Sequence, residues 1–151
     1  MIKTLTLLAL LLPTQVPAQT IDQMLGSWTG EGLAVPRGEA GVRFSCRVRL
    51  NPEGASTALF TGRCATTQGQ QSFAYLVIER ADGTVSAQNR SEPPDSLPAR
   101  LAGSASEGQV RFEDGASSMF ELRLVGGQLR FRIQGDSGGQ PTRGEAFLDR
   151  R

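Results

Sequence analysis

The sequence predicts an all-β domain: a single antiparallel up-and-down barrel of about eight to ten short strands, entered through one short helical turn. Three observations carry this. Apolar and polar residues alternate with period two along several short runs, and Gly, Asn and Asp turn signals separate them. The chain's single tryptophan, Trp28, follows Gly26-Ser27 at the entry to the first strand. Low aromatic content (6%) and 18 glycines suit many short strands and turns. There is no internal repeat and no amphipathic helical run longer than about two turns.

The first residues fall outside this pattern. Met1-Ile2-Lys3 is a short cationic start, Leu5 to Leu12 is apolar apart from Thr6, and Val16 and Ala18 are small residues at the positions a signal peptidase reads. This is the layout of a secretory signal peptide, too short for a membrane span. The expected division is residues 1–18 as leader and 19–151 as the barrel domain, with cleavage after Ala18. The length that remains suits one domain with one core. Ile21 to Leu25 reads as one helical turn before the first strand.

The best-defined registers are two hairpins. From Val42 to Leu50 the even positions are apolar and the odd ones polar, the mark of a half-buried strand. Ala58, Phe60, Gly62 and Cys64 share a face of the next run. Folding the two around Gly54-Ala55-Ser56, after the Asn51-Pro52 turn signal, sets Leu50 opposite Phe60, Val48 opposite Gly62 and Cys46 opposite Cys64. A one-residue slip would spoil both the packing and the sulfur pairing. The two cysteines of an exported chain are therefore read as a disulfide pinning the hairpin from inside, in preference to a redox or metal role. On the chain-entropy view such a loop gains roughly 3 kcal/mol.

In the second hairpin Phe120, Leu122 and Leu124 alternate with Glu121 and Arg123, Gly126-Gly127 turns the chain, and Leu129, Phe131 and Ile133 follow. The Gly-Gly loop allows the positive φ of a type I′ turn. It pairs Leu124 with Leu129, Leu122 with Phe131 and Phe120 with Ile133. Outside, Glu121 meets Arg132 and Arg123 meets Arg130.

Between these hairpins, Ser72 to Arg80 and Thr84 to Ser91 flank an Asp82-Gly83 turn. Leu101 is expected to pair with Phe112 and Gly103 with Val110 around Ser106-Glu107, and Phe112 with Phe120 around Gly115. Glu92-Pro93-Pro94-Asp95 and Gly135 to Pro141 read as the irregular loops, the first as a divide between two sequential halves. Gly144 to Asp149 would close onto the first strand, protecting edges that otherwise template aggregation.

Composition excludes several functions. There are 16 basic residues, of which Lys3 is the only lysine, against 15 acidic ones, so removal of the leader leaves a neutral domain. A neutral domain has no global field to attract nucleic acid or an anionic membrane. Arg without Lys, with abundant Gly and Ala, points to a GC-rich bacterial coding sequence, and with the signal peptide this makes the expected location periplasmic or secreted. No histidine is present, which removes Ser-His-Asp and Cys-His nucleophile systems. Metal sites of the His/Cys type are excluded likewise, and no cofactor is expected. Gly135-Asp136-Ser137-Gly138-Gly139 resembles the surroundings of a protease nucleophile, but without an imidazole it reads as a flexible turn. One carboxylate there is far from a calcium shell. Asn89-Arg90-Ser91 fits the glycosylation sequon, which matters only in a eukaryotic source.

One surface feature points towards binding. The predicted register sets Arg47 opposite Arg63 on the outer face, with Arg43 and Arg49 along the same strand. Like charges across a sheet repel unless neighbouring acids or an anionic partner relieve them. Arg43, Arg47, Arg49 and Arg63 are therefore a candidate partner-binding stripe, the alternative being a solvated face.

Gly26-Ser27-Trp28, after a short helix and before an outgoing strand, resembles the Gly-x-Trp signature of lipocalins and related calycin barrels. The resemblance implies that the Trp28 indole closes one barrel end and that an arginine of the last strand packs over it. Arg143 is the candidate, with Arg150 as the substitute. The layout also resembles bacterial periplasmic inhibitors of secreted metalloproteases, small barrels with a Trp in the first strand and one disulfide downstream. The expected function is that of a non-enzymatic exported binding module, a monomer. It would take a small amphipathic ligand in the barrel mouth, lined by Val35 to Gly41, Glu92 to Leu97 and Gly135 to Pro141, or dock a protein partner on its surface. The alternative is a periplasmic inhibitor of a secreted protease. Phe60, Phe112, Phe120, Phe131 and the disulfide nearly fill a small barrel, which favours the surface partner slightly.

Overall fold

The computed structural model describes residues 19–137 and 140–151; the expected leader, residues 1–18, lies outside them. One short helix, α1 (Thr20–Met24), is followed by ten strands: β1 (Gly26–Pro36), β2 (Val42–Gly54), β3 (Thr57–Ala65), β4 (Gln70–Glu79), β5 (Thr84–Asn89), β6 (Arg100–Ser106), β7 (Gln109–Glu113), β8 (Met119–Val125), β9 (Gln128–Ser137) and β10 (Gln140–Arg150). Every strand pairs antiparallel with its sequence neighbours and β10 pairs with β1, so the barrel closes up-and-down, as expected.

Period two decides which way each side chain points. Cys46, Val48 and Leu50 of β2, Phe60 of β3, Leu122 of β8, Leu129 and Phe131 of β9 and Ala146 and Leu148 of β10 are buried inside. The two hairpins have the expected registers, with Cys46 opposite Cys64 and Leu122 opposite Phe131. Cys46 and Cys64 are joined as a disulfide, their Cα atoms 4.2 Å apart.

Three expectations need correction. The β6–β7 hairpin pairs Gly103 with Phe112 and Ala105 with Val110, two residues away from the expected register. Its turn is Glu107-Gly108, both with positive φ (47° and 74°), which is the requirement of a type I′ turn. Gly135 to Pro141 is not an irregular loop: Asp136 pairs with Pro141 and Thr142 with Gly135, so β9 and β10 run on to the vicinity of residues 138–139. The loop after β5 does not split the barrel either, because β5 and β6 pair directly on both sides of it.

Candidate functional site

The strand directions give the barrel two unlike ends. One carries α1, the β2–β3, β4–β5, β6–β7 and β8–β9 turns and the tail of β10. The other carries the 37–41, 66–69, 90–99 and 114–118 connections. The described residues of the three segments expected to line a mouth lie at this second end.

The first end is sealed. Glu79, at the end of β4 and 8% exposed, accepts hydrogen bonds from the amides of Thr20 (3.1 Å) and Ile21 (2.8 Å). It satisfies the unpaired first donors of α1, for which Gln19 offers no side-chain cap. Ile21 and Met24 point into the core. The Trp28 indole, 1% exposed, donates from Nε1 to the Met24 carbonyl at 2.9 Å.

Arg150 lies over that indole, its Cζ 4.2 Å from the ring centroid, and its Nη1 donates to the Leu25 carbonyl at 2.6 Å. Arg150 therefore occupies the position expected for Arg143. The reason is parity. Position 150 shares the phase of inward-facing Leu148 and Ala146 and stands opposite Trp28, whereas Arg143 is out of phase and stands opposite Val35 near the other end. Gly26 makes the corner between α1 and β1 at φ 128°, where a side chain would also collide with the Arg150 guanidinium.

The lumen is occupied by rings. Phe60 lies 5.0 Å from Phe73, 5.6 Å from Phe120 and 6.1 Å from Phe131, and Phe112 stacks on Phe120 at 4.5 Å. These contacts join the β3–β4 wall to the β7–β9 wall across the barrel. Gly62 leaves the space that the Phe73 ring takes, since a methyl there would collide with it. Tyr75 extends the cluster at 5.8 Å from Phe120, and its hydroxyl donates to the Pro98 carbonyl at 2.8 Å. Burial, reinforced by Asp95 and Asp114, pushes that hydroxyl up to about 12.

The 90–99 and 114–118 loops of the second end are tied by their own carboxylates. Burial pushes the Asp95 carboxyl up, but hydrogen bonds from Ser91, Asn89 and the Leu97 amide outweigh it and hold the group below its ordinary value. Asp114 is held low by the amides of Ala116 and Ser118. Asn89, the sequon asparagine, already donates from Nδ2 to Asp95 at 2.7 Å.

Among the described residues, two hollows lie on the outside of the barrel. The larger, about 920 Å³, lies over β1 and β10 and extends across β9 to Met119 of β8 and Arg111 of β7. Its exposed large apolar residues are Leu33 (47% exposed), Val35 (43%) and Phe147 (43%), with Met119 and Ile133 also in its lining. Arg43 stands opposite Leu33 on β2 and Arg143 opposite Val35 on β10, so the two guanidiniums flank this ridge. Farther along the same face, Arg132 contacts Glu145 at 3.1 Å, and the buried Glu121 accepts from Arg130 at 3.2 Å and from Gln109 at 3.1 Å.

The second hollow, about 410 Å³, lies over β1, β2 and β3. Arg47, Arg49, Arg63 and Arg151 line it with Ser27, Thr29 and Thr61. Arg47 is directly opposite Arg63, as the register predicts, but Arg43 belongs to the other hollow. The candidate stripe is thus divided between two sites.

Leu33, Val35 and Phe147 were not among the residues that the sequence marked, although parity contains them. Once Trp28 points inward, so do Gly30, Gly32 and Ala34, and Leu33 and Val35 must point out. Among the described residues no group of three or more His, Cys, Asp or Glu is placed to hold a metal ion. No described helix is long and apolar enough to cross a membrane.

No protein-family model and no curated protein sequence matches the chain. Among solved structures, it is similar to EF1p2_mFAP2b bound to DFHBI, at TM-score 0.50 and 10% identity over 89% of this chain and 98% of that one. Rv2717c from M. tuberculosis matches at TM-score 0.49 and 15% identity, over 87% of this chain and 97% of that one. A redesigned β-barrel, b11L5F_LGL, matches at TM-score 0.41 and 12% identity, over 89% and 96%. At this level of identity the likeness is one of fold: a small closed antiparallel barrel.

Proposed function

We propose that this chain is a non-enzymatic, exported, calycin-like binding module that holds an amphipathic anionic ligand on its outer face, in the β1–β10 hollow. The observation that carries the reading is the ridge of Leu33, Val35 and Phe147, each more than two-fifths exposed, between Arg43 and Arg143. Adjacent large apolar side chains at such exposure mark an interaction surface. The hollow of about 920 Å³ has the size of a small-molecule site. Glu31 and Glu145 also line the hollow, but among the described residues no carboxylate comes within 4 Å of the Arg43 or Arg143 guanidinium, which leaves both able to pair with an anionic head. The lumen is a poorer site because aromatic side chains from opposite walls meet there. That a similar barrel is bound to DFHBI supports small-molecule binding by this architecture. Export rests on the pattern of residues 1–18 and agrees with an oxidised cysteine pair.

Two amphipathic anions, 1-anilinonaphthalene-8-sulfonate and laurate, test the reading. The expected result is saturable binding that weakens about tenfold or more in Leu33→Ser/Phe147→Ser, which removes roughly 2 kcal/mol of apolar contact. Thermal stability should hardly change, since neither side chain is in the core. Binding unaltered by the double substitution overturns the proposal. Native mass spectrometry of protein taken from its own periplasm adds a second readout: a retained amphiphile supports the reading, and a retained protease replaces it with the inhibitor.

A further inference from the structure

The β2–β3 hollow is chemically different and has no part in the reading above. Arg47, Arg49 and Arg63 project from one face of two adjacent strands, with Arg151 at the edge and the hydroxyl residues Ser27, Thr29 and Thr61 between them. The partners these guanidiniums have are neutral. Arg49 donates from Nε to Ser27 Oγ at 3.0 Å, and Arg63 donates from Nε and Nη2 to the Gln70 amide oxygen. Among the described residues no carboxylate comes within 4 Å of any of the four. Directly opposed like charges destabilise a strand pair, and here the disulfide one residue away holds Arg47 and Arg63 together.

We infer that this hollow is an oxyanion site that takes a soluble phosphoryl or pyrophosphoryl group. Guanidiniums present planar pairs of donors that match phosphate oxygens. Serine and threonine hydroxyls add neutral donors at the same oxygens. A carboxylate ligand would satisfy one guanidinium fork, whereas a diphosphate has enough oxygens for three arginines. Trp28, the only tryptophan, borders the hollow on β1, although its indole points into the barrel.

The experiment is calorimetric titration of the whole protein with inorganic pyrophosphate at low salt, followed in parallel by tryptophan fluorescence. Wild type should bind saturably, one pyrophosphate per chain, and its melting temperature should rise with ligand. Arg47→Gln/Arg63→Gln should weaken binding about tenfold or more. Its melting temperature without ligand should be unchanged or higher, because the opposed charges are gone. Arg123→Gln, an exposed arginine on β8 outside the hollow, should bind as wild type does. Absence of saturable binding, or binding that survives the double substitution, overturns the site. Flotation with phosphatidate-containing vesicles, against phosphatidylcholine alone, separates the source of the group. Vesicle binding without pyrophosphate binding overturns the soluble ligand in favour of a membrane surface.

Discussion

The two outer faces of this barrel are both rich in arginine, and they differ in what stands opposite each arginine. Over β8, β9 and β10 Glu121 faces Arg132, which faces Glu145, and Arg130, although it stands opposite Arg123, bonds to Glu121. Over β2 and β3 Arg47 faces Arg63. The first face compensates its own charge and can be read as structure. The second does not, and the cost of holding it together falls on the covalent link beside it. Equal arginine content therefore says little about binding, whereas cross-strand partner identity says much.

The largest effect should come from removing that link. Cys46→Ala/Cys64→Ala is expected to cost about 3 kcal/mol on the chain-entropy view for a bridge of this span. Urea unfolding measures it. Amide exchange should accelerate most around Arg47 and Arg63, and added salt should partly restore protection by screening the repulsion. Uniform acceleration around the barrel, indifferent to salt, would show that the opposed arginines carry no cost.

On the compensated face the sensitive group is Glu121, 4% exposed and bonded to Arg130 and Gln109. Glu121→Gln should lower stability by about 2 kcal/mol, less than a fully buried pair would lose because Arg130 and Arg132 keep some access to water. A shifted urea midpoint at constant slope is the expected signature. An unmoved midpoint would mean that solvent, not Glu121, satisfies those guanidiniums.

Both faces descend from one register, and much of that register was readable in the chain. The Cys46–Cys64 and Phe120–Ile133 pairings were fixed by coincidence of packing with a second constraint, a disulfide in one hairpin and a Gly-Gly turn in the other. The β6–β7 hairpin had no such constraint. A slip of two residues leaves every side chain on its original face, so Leu101, Gly103, Val110 and Phe112 alternate equally well in either register. Only the Glu107-Gly108 turn distinguishes them, and its first residue is no usual choice for positive φ. Glycine density misled at Gly135 to Ser137, because composition marks flexibility while the ladder with Gln140 to Thr142 sets conformation. Resemblance implies only an arginine of the last strand, and parity with Leu148 is what separates Arg150 from the candidate Arg143. The hollows were harder to see. They need the curvature of a closed sheet, which no local pattern encodes.

Reversing one charge should turn the uncompensated face into a copy of the other. Arg63→Glu sets opposite charges across β2 and β3 and is expected to raise stability by about 0.5 kcal/mol at low salt. The gain should vanish at high salt, where exposed pairs are screened. Arg132→Glu, the same chemistry on the compensated face, should do the reverse by facing both Glu121 and Glu145. Paired melting curves at two ionic strengths decide it. If both substitutions shift stability in the same direction, partner identity is not what distinguishes the faces.

The smallest expected effect is a null one, and it follows from which groups can titrate. The chain has no histidine, and its only lysine, Lys3, is outside the described residues. Among the described residues, neither face thus carries an imidazole or an ammonium side chain to change state between about pH 6 and pH 10. The stability difference between Arg63→Glu and wild type should therefore be flat across that range. At lower pH Asp95 and Asp114, held below their ordinary values, stabilise the 90–99 and 114–118 loops until the pH falls through the carboxylate range. At higher pH the single tyrosine is the first marker. Tyr75 is held protonated to about 12, while an unfolded tyrosine ionises near 10, so its contribution is intact below about pH 10 and is lost as the pH rises towards 12. Tyrosinate absorbance should appear only there, together with loss of the Phe120–Tyr75 contact. Tyrosinate appearing near 10 in folded protein would mean that water reaches the ring cluster and that the lumen, not the outer face, is the accessible site.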